Sequence, residues 1–121
     1  MLLKVLKDTF SVCKLKDASQ IDFTEEFYFL GKTDEELSLV CRESAVPQNA
    51  TVREDGWRAF RIQGMLDFSL TGILASLSTL LAEHHIGIFA VSTYNTDYIL
   101  VKEKQFLQAL AVLREAGHEL I

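Results

Sequence analysis

The sequence predicts an α+β protein in which a complete ferredoxin-like βαββαβ lobe over residues 56–121 follows a reduced, β-rich lobe over residues 1–55. Three observations predict it. Along 57–121 the hydrophobic pattern switches between the strand period of two and the helical period of about 3.6, in the order strand–helix–strand–strand–helix–strand. The first half holds three strand-like runs and no segment suited to a full core helix. With 121 residues, 49% hydrophobic and 24% charged, the chain has globular composition rather than that of a disordered segment.

In chain order, "TFSVCKL" (9–15), "EFYFLGK" (26–32) and "ELSLVCR" (36–42) read as strands. The intervening "KDASQIDFTE" is too short and polar for a core helix. Pro47 opens a polar segment through Gly56 that reads as the link between lobes. "WRAFRIQ" (57–63) alternates, with Phe60 and Ile62 on one face and Arg61 and Gln63 on the other. After Gly64, "LDFSLTGILASLSTLLAEHH" places Leu70, Ile73, Leu74, Leu77, Leu80 and Leu81 on one helical stripe. Ser69 or Thr71 is suited to cap its start, and Gly87 lies just past its end. "IGIFAVS" (86–92) and "YILV" (98–101) form a hairpin. "KEKQFLQALAVLREAG" turns Phe106, Leu110 and Leu113 to one side, with Gly117 as its stop, and "HELI" supplies a last short strand.

The first lobe echoes the second. Setting "FLGKTDEELSLV" (29–40) against "AVSTYNTDYILV" (90–101) matches Leu39 and Val40 with Leu100 and Val101, and Glu36 with Asp97. Both stretches are strand, polar turn, strand, so the first lobe reads as a reduced copy lacking a helix.

The net charge of −5 disfavours nucleic acid and anionic membrane as partners. "MLLKVLKDTF" is too short an apolar run for a secretory signal, and polar residues break every other run before the length of about 20 that a membrane span needs. The expected location is therefore cytoplasmic, with Cys13 and Cys41 reduced, buried and structural. His84 and His85 are adjacent and diverge on a helix, His118 is alone, and neither cysteine belongs to a CxxC pair, so no metal is expected. No nucleophile elbow, Walker loop or dinucleotide fingerprint occurs, no cofactor is implied, and no catalytic residues are assigned.

One constellation remains. "LDFSLTGIL" (66–74) places Ser69, Thr71 and Gly72 at a helix start, where unpaired N–H groups and the helix dipole favour an anion. Ordinary helix capping explains the same residues. The turn in "STYNTDYILV" (92–101) carries more polar side chains than chain reversal needs. Taking the strand before this helix and the strand after it as parallel neighbours, both loops meet at one edge. Asp97 would then attract a cationic group, Tyr94 would cover a ligand, and Thr93, Asn95 and Thr96 would offer donors and acceptors. A zwitterion suits such a place, and an amino acid is the simplest one.

The stretch "LDFSLTGILASLSTLLAEHHIGIFAVSTYNTDYILV" (66–101), with its "TGILA" turn and "IFAVSTYNTDYILV", resembles the ACT-domain subgroup of arginine-sensing CASTOR proteins and small stand-alone bacterial ACT proteins. It is more distantly similar to aspartokinase regulatory domains. "ELSLVC" and "WRAF" extend the resemblance over most of the chain. It implies βαββαβ lobes that pair side by side and hold amino acids at the seam. Carried over, the contacts are Ser69, Thr71, Gly72 and Ile73 in the first loop, and Thr93, Tyr94, Asn95, Thr96 and Asp97 in the second, with Asp97 facing the ligand's cationic end. The resulting expectation is a non-enzymatic, homodimeric, amino-acid-binding regulator with an unknown protein target. The alternatives are a ligand-free interaction or dimerisation module and a small enzyme using Asp97 and Ser69.

Overall fold

A computed structural model describes residues 1–64 and 72–121. The chain contains strands β1 (Leu2–Leu15), β2 (Tyr28–Lys32), β3 (Leu37–Arg42), β4 (Ala50–Ile62), β5 (Phe89–Ser92), β6 (Asp97–Lys102) and β7 (Glu119–Leu120), and helices α1 (Ile73–Glu83) and α2 (Glu103–Glu115). A 3-10 turn, Glu43–Ala45, follows β3. The structure divides into two compact units, one of Met1–Lys7 with Arg58–Ile121 and one of Asp8–Trp57. The long strands β1 and β4 contribute to both.

In the larger unit the strand order is β7–β1–β4–β6–β5. β6 therefore lies between β4 and β5, which corrects the expectation that the strands flanking α1 are direct neighbours. In a split β-α-β arrangement the returning strand leaves room for one antiparallel strand between itself and the first. Leu3, Phe60, Ile62, Ile99 and Val101 of the sheet form one buried cluster with Leu77 and Leu81 of α1 and Phe106, Leu110 and Leu113 of α2. Full burial of each such side chain is worth about 1.5–3 kcal/mol relative to exposure. Arg58 lays its guanidinium 4.6 Å from the Phe106 ring centroid and donates to the Leu6 carbonyl at 3.2 Å.

Both helices end in the same way. His85 N–H donates to the Ala82 carbonyl and Ile86 N–H to Leu81; Gly117 N–H donates to Arg114 and His118 N–H to Leu113. These are paired Schellman bonds, which need a left-handed residue just past the helix. Gly117 fills that place at φ 96° as expected, but after α1 it is His85, at φ 59°, rather than Gly87. The helix stops two residues earlier than the glycine because Ile86 must turn back into the core beside Leu81.

In the smaller unit, β1 pairs with β3 antiparallel from Phe10↔Arg42 to Lys14↔Ser38, and β3 pairs with β2. Cys13 and Cys41 are free and buried with Leu15 and Leu39. Desolvation raises the pKa of both thiols, that of Cys41 to about 12. The segment 16–27 contains no helix. Asp17 accepts from Ser19 N–H at 3.0 Å and Asp22 from Thr24 N–H at 2.9 Å, local turns that compete with helical bonding. Arg42 holds this segment through Nε and Nη2, each 2.8 Å from a carboxylate oxygen of Glu25. The polar stretch after Pro47 is largely strand rather than link. Lys16 N–H bonds to the Asn49 carbonyl, and the hydroxyls of Thr51 and Ser11 reach Lys14 and Glu54 carbonyls.

The two hairpins are equivalent at a shift of 60 residues. Leu37 corresponds to Asp97 and Arg42 to Lys102, with the same succession of half-buried and buried positions along both strands. Thr33 N–H bonds to the Glu36 carbonyl and Thr93 N–H to the Thr96 carbonyl, both at 2.9 Å. The alignment drawn from sequence is out of register by one residue, and a one-residue slip would put every side chain on the opposite face. After β3 the chain makes only a 3-10 turn where α2 follows β6, and no helix corresponds to α1.

Candidate functional site

The β5–β6 turn is built by its own threonines. Ser92 pairs with Asp97 to close the hairpin. Inside it the Thr93 hydroxyl donates to the Thr96 carbonyl at 3.0 Å and accepts from Thr96 N–H at 3.4 Å. Thr96 is buried, and its hydroxyl donates to the Ile62 carbonyl at 2.7 Å. Two of the predicted contact residues therefore hold the turn together and pin it to the end of β4. Tyr94, 75% exposed, and Asn95 project from the tip.

Strand alternation separates the remaining groups. Asp97 is two residues before Ile99 and shares its face, the one that packs on the helices; its carboxylate accepts from the Ser92 hydroxyl at 2.6 Å. Tyr98 belongs to the opposite face, where Arg61 meets it. Arg61 Nη1 donates to the Tyr98 hydroxyl at 3.2 Å, Nε donates to Gln63 Oε1 at 3.2 Å, and the guanidinium carbon lies 5.8 Å from the Tyr98 ring centroid. A pocket of about 340 Å³ opens there, lined among the described residues by Arg61, Ile62, Gln63, Gly64, Asn95, Thr96 and Tyr98.

On the helix side, Gly72 precedes α1 at φ 80°, where a side chain would be strained, and its carbonyl accepts Ser76 N–H at 2.8 Å. No side chain caps this helix start among the described residues, and a Cβ added to Gly72 would meet nothing within 4 Å. Ile73 is the first helical residue and packs against the core. The predicted contacts Ser69 and Thr71 lie outside the described residues.

The structure thus brings Asn95 and Thr96 to the end of β4 and places Asp97 on the helix face. The sequence reading missed Arg61, Gln63 and Tyr98, having assigned the first two only to the polar face of a half-buried strand. Their meeting depends on β4 lying beside β6, a tertiary adjacency with no local sequence signal. Among the described residues no three His, Cys, Asp or Glu side chains gather into a metal-holding group. No helix there is long and apolar enough to cross a membrane. Two of the histidines have ring contacts. His84 Nδ1 lies 3.0 Å from the Leu80 carbonyl, and His118 Nδ1 accepts from the Met1 amine at 3.1 Å, with burial lowering its pKa.

The ACT domain family matches residues 52–115, more than half of the chain. The chain belongs to the ACT domain family. A second family, described as an N-terminal domain, matches residues 8–49, within the smaller unit. The ACT chain is similar to the human cytosolic arginine sensor for mTORC1 subunit 1, with 28% identity over 78% of this chain and 34% of that protein. It therefore spans about a third of the length of the curated relatives it matches. A crystallised protein of Agobacterium tumefaciens is 34% identical, with a TM-score of 0.87, covering 99% of this chain and 91% of its own. The regulatory subunit of aspartate kinase from Thermus thermophilus has a TM-score of 0.64 at 9% identity, over 95% of this chain and 96% of its own, and shows the shared fold.

Proposed function

We propose that this ACT chain is a non-enzymatic regulator that binds a free amino acid at the edge formed by the end of β4, the start of α1 and the β5–β6 turn. The bond from Thr96 to the Ile62 carbonyl carries the reading, because it draws the polar turn to the end of the strand that leads toward α1. In this reading, backbone N–H groups at Gly72 and Ile73, with Ser69 and Thr71, receive the ligand carboxylate. Asp97, on the helix face of the same edge, attracts its cationic group, while Tyr94 closes over it. The arginine-sensing role belongs to the relatives.

The shift of 60 residues between hairpins supports the first lobe as a reduced ACT-like copy preceding a complete domain. A homodimer would complete the seam, and binding would stiffen it to signal to a protein target in the cytoplasm. A ligand-free dimerisation module is the second reading, favoured by β5, which ends the strand order and, among the described residues, pairs only with β6.

Thermal-shift screening against the common amino acids tests the proposal. A ligand at 100 times its Kd adds about 2.7 kcal/mol of stability. Asp97→Ala should abolish that shift and leave the unliganded melting profile cooperative. If no amino acid moves the midpoint while native mass spectrometry shows a dimer, the second reading replaces the first.

A further inference from the structure

We propose that the Arg61 pocket, on the sheet face opposite Asp97, is a separate binding site for a small organic carboxylate that needs no ammonium group. Its described lining offers donors: the guanidinium of Arg61 and the side-chain amides of Gln63 and Asn95. The Thr96 hydroxyl is already given to Ile62. No acidic side chain occurs in the described lining, where the Arg61 guanidinium donates to the neutral side chains of Tyr98 and Gln63. A half-buried cation bonded, among the described residues, to neutral groups favours an anion, and a planar guanidinium presents two parallel donors that match a carboxylate.

The geometry also prepares the cation. Bonds from Nε to Gln63 and from Nη1 to Tyr98 restrain the guanidinium, so less side-chain freedom is lost when an anion binds. A volume of about 340 Å³ lies at the small end for ligand sites and suits a short-chain carboxylate. The ammonium of an amino acid finds no acidic partner among the described residues of this lining. Asp97, the group that would hold an ammonium in the amino-acid reading, lies on the other face and takes no part in this site.

The test is calorimetry and amide NMR on the full chain, titrated with glutarate, glutamate and inorganic phosphate. Glutarate should bind saturably and shift the side-chain amides of Gln63 and Asn95, with the Ser92 and Asp97 backbone signals less affected. Arg61→Gln should weaken glutarate at least about tenfold, and Arg61→Lys should fall between, since it keeps charge but loses the two-donor fork. Asp97→Asn should bind glutarate as the parent does. No saturable glutarate binding, equal affinity in Arg61→Gln, or an equal loss in Asp97→Asn would each overturn the proposal. Tighter binding of phosphate than glutarate overturns the carboxylate assignment. Binding of glutamate without glutarate assigns the ligand to an amino-acid site and overturns the separate pocket. If Arg61→Gln fails to fold, the parent's NMR shifts and the Arg61→Lys affinity decide.

Discussion

The hydroxyl of Thr96 donates to the backbone carbonyl of Ile62 at 2.7 Å, tying the β5–β6 turn to the last residue of β4. Both ends of this bond are buried. Thr96→Val keeps the shape and strands the carbonyl, which should cost about 1–3 kcal/mol. Thr96→Ser should retain most of the stability. Denaturant unfolding of the three proteins checks this, and equal midpoints for parent and Thr96→Val would remove the bond from the account of the edge.

His85 occupies the left-handed position after α1, and Gly117 the matching one after α2. His85→Gly relieves a backbone cost of about 1 kcal/mol and should raise the thermal midpoint, whereas Gly117→Ala should lower it by a similar free energy. Calorimetry of the two variants should show shifts of opposite sign.

Cys41 makes stability fall at high pH. Burial pushes its pKa up to about 12 from an ordinary value of 9.0, so the folded thiol keeps its proton where the unfolded one loses it. Between pH 9 and about 12 the unfolded state binds fewer protons, and unfolding becomes progressively easier. Cys41→Val should flatten that decline in urea midpoints measured across this range. Both native thiols should also resist alkylation at pH 8 until the protein unfolds.

Glu25 acts at the acid end. Its hydrogen bonds from Arg42 hold its pKa below the ordinary carboxylate value, so the pair's contribution is present at neutral pH and is lost as pH falls through the depressed folded value. Glu25→Gln should remove this acid-side loss. Proteolysis should then nick residues 16–27 more readily, and an unchanged digestion rate at neutral pH would show that the pair does not anchor the segment.

The helices and hairpins were legible because their signals are local. Leu77, Leu81, Phe106, Leu110 and Leu113 recur at helical spacing, and all are buried. The "STYNTDYILV" turn stood out because its polar residues exceed those a reversal requires. The strand after Pro47 was not legible, since backbone pairing rather than apolar side chains holds residues 50–56 in place. His85 was missed for a similar reason: the core position of Ile86, not a glycine, decides where α1 stops.

By itself the sequence determined the α+β class, the order of elements in residues 57–121 and the location of the polar turn, because period and turn chemistry act between near neighbours. Only the tertiary structure decided that β6 stands between β4 and β5, that the hairpins repeat at 60 residues, and that Thr96 is a fastener rather than an exposed donor. It also put Asp97 and Arg61 on opposite faces of one edge. Strand alternation fixes the parity of each side chain along its own strand, but which strands lie side by side is set by helix packing over the sheet, and that pairing made the Arg61 pocket.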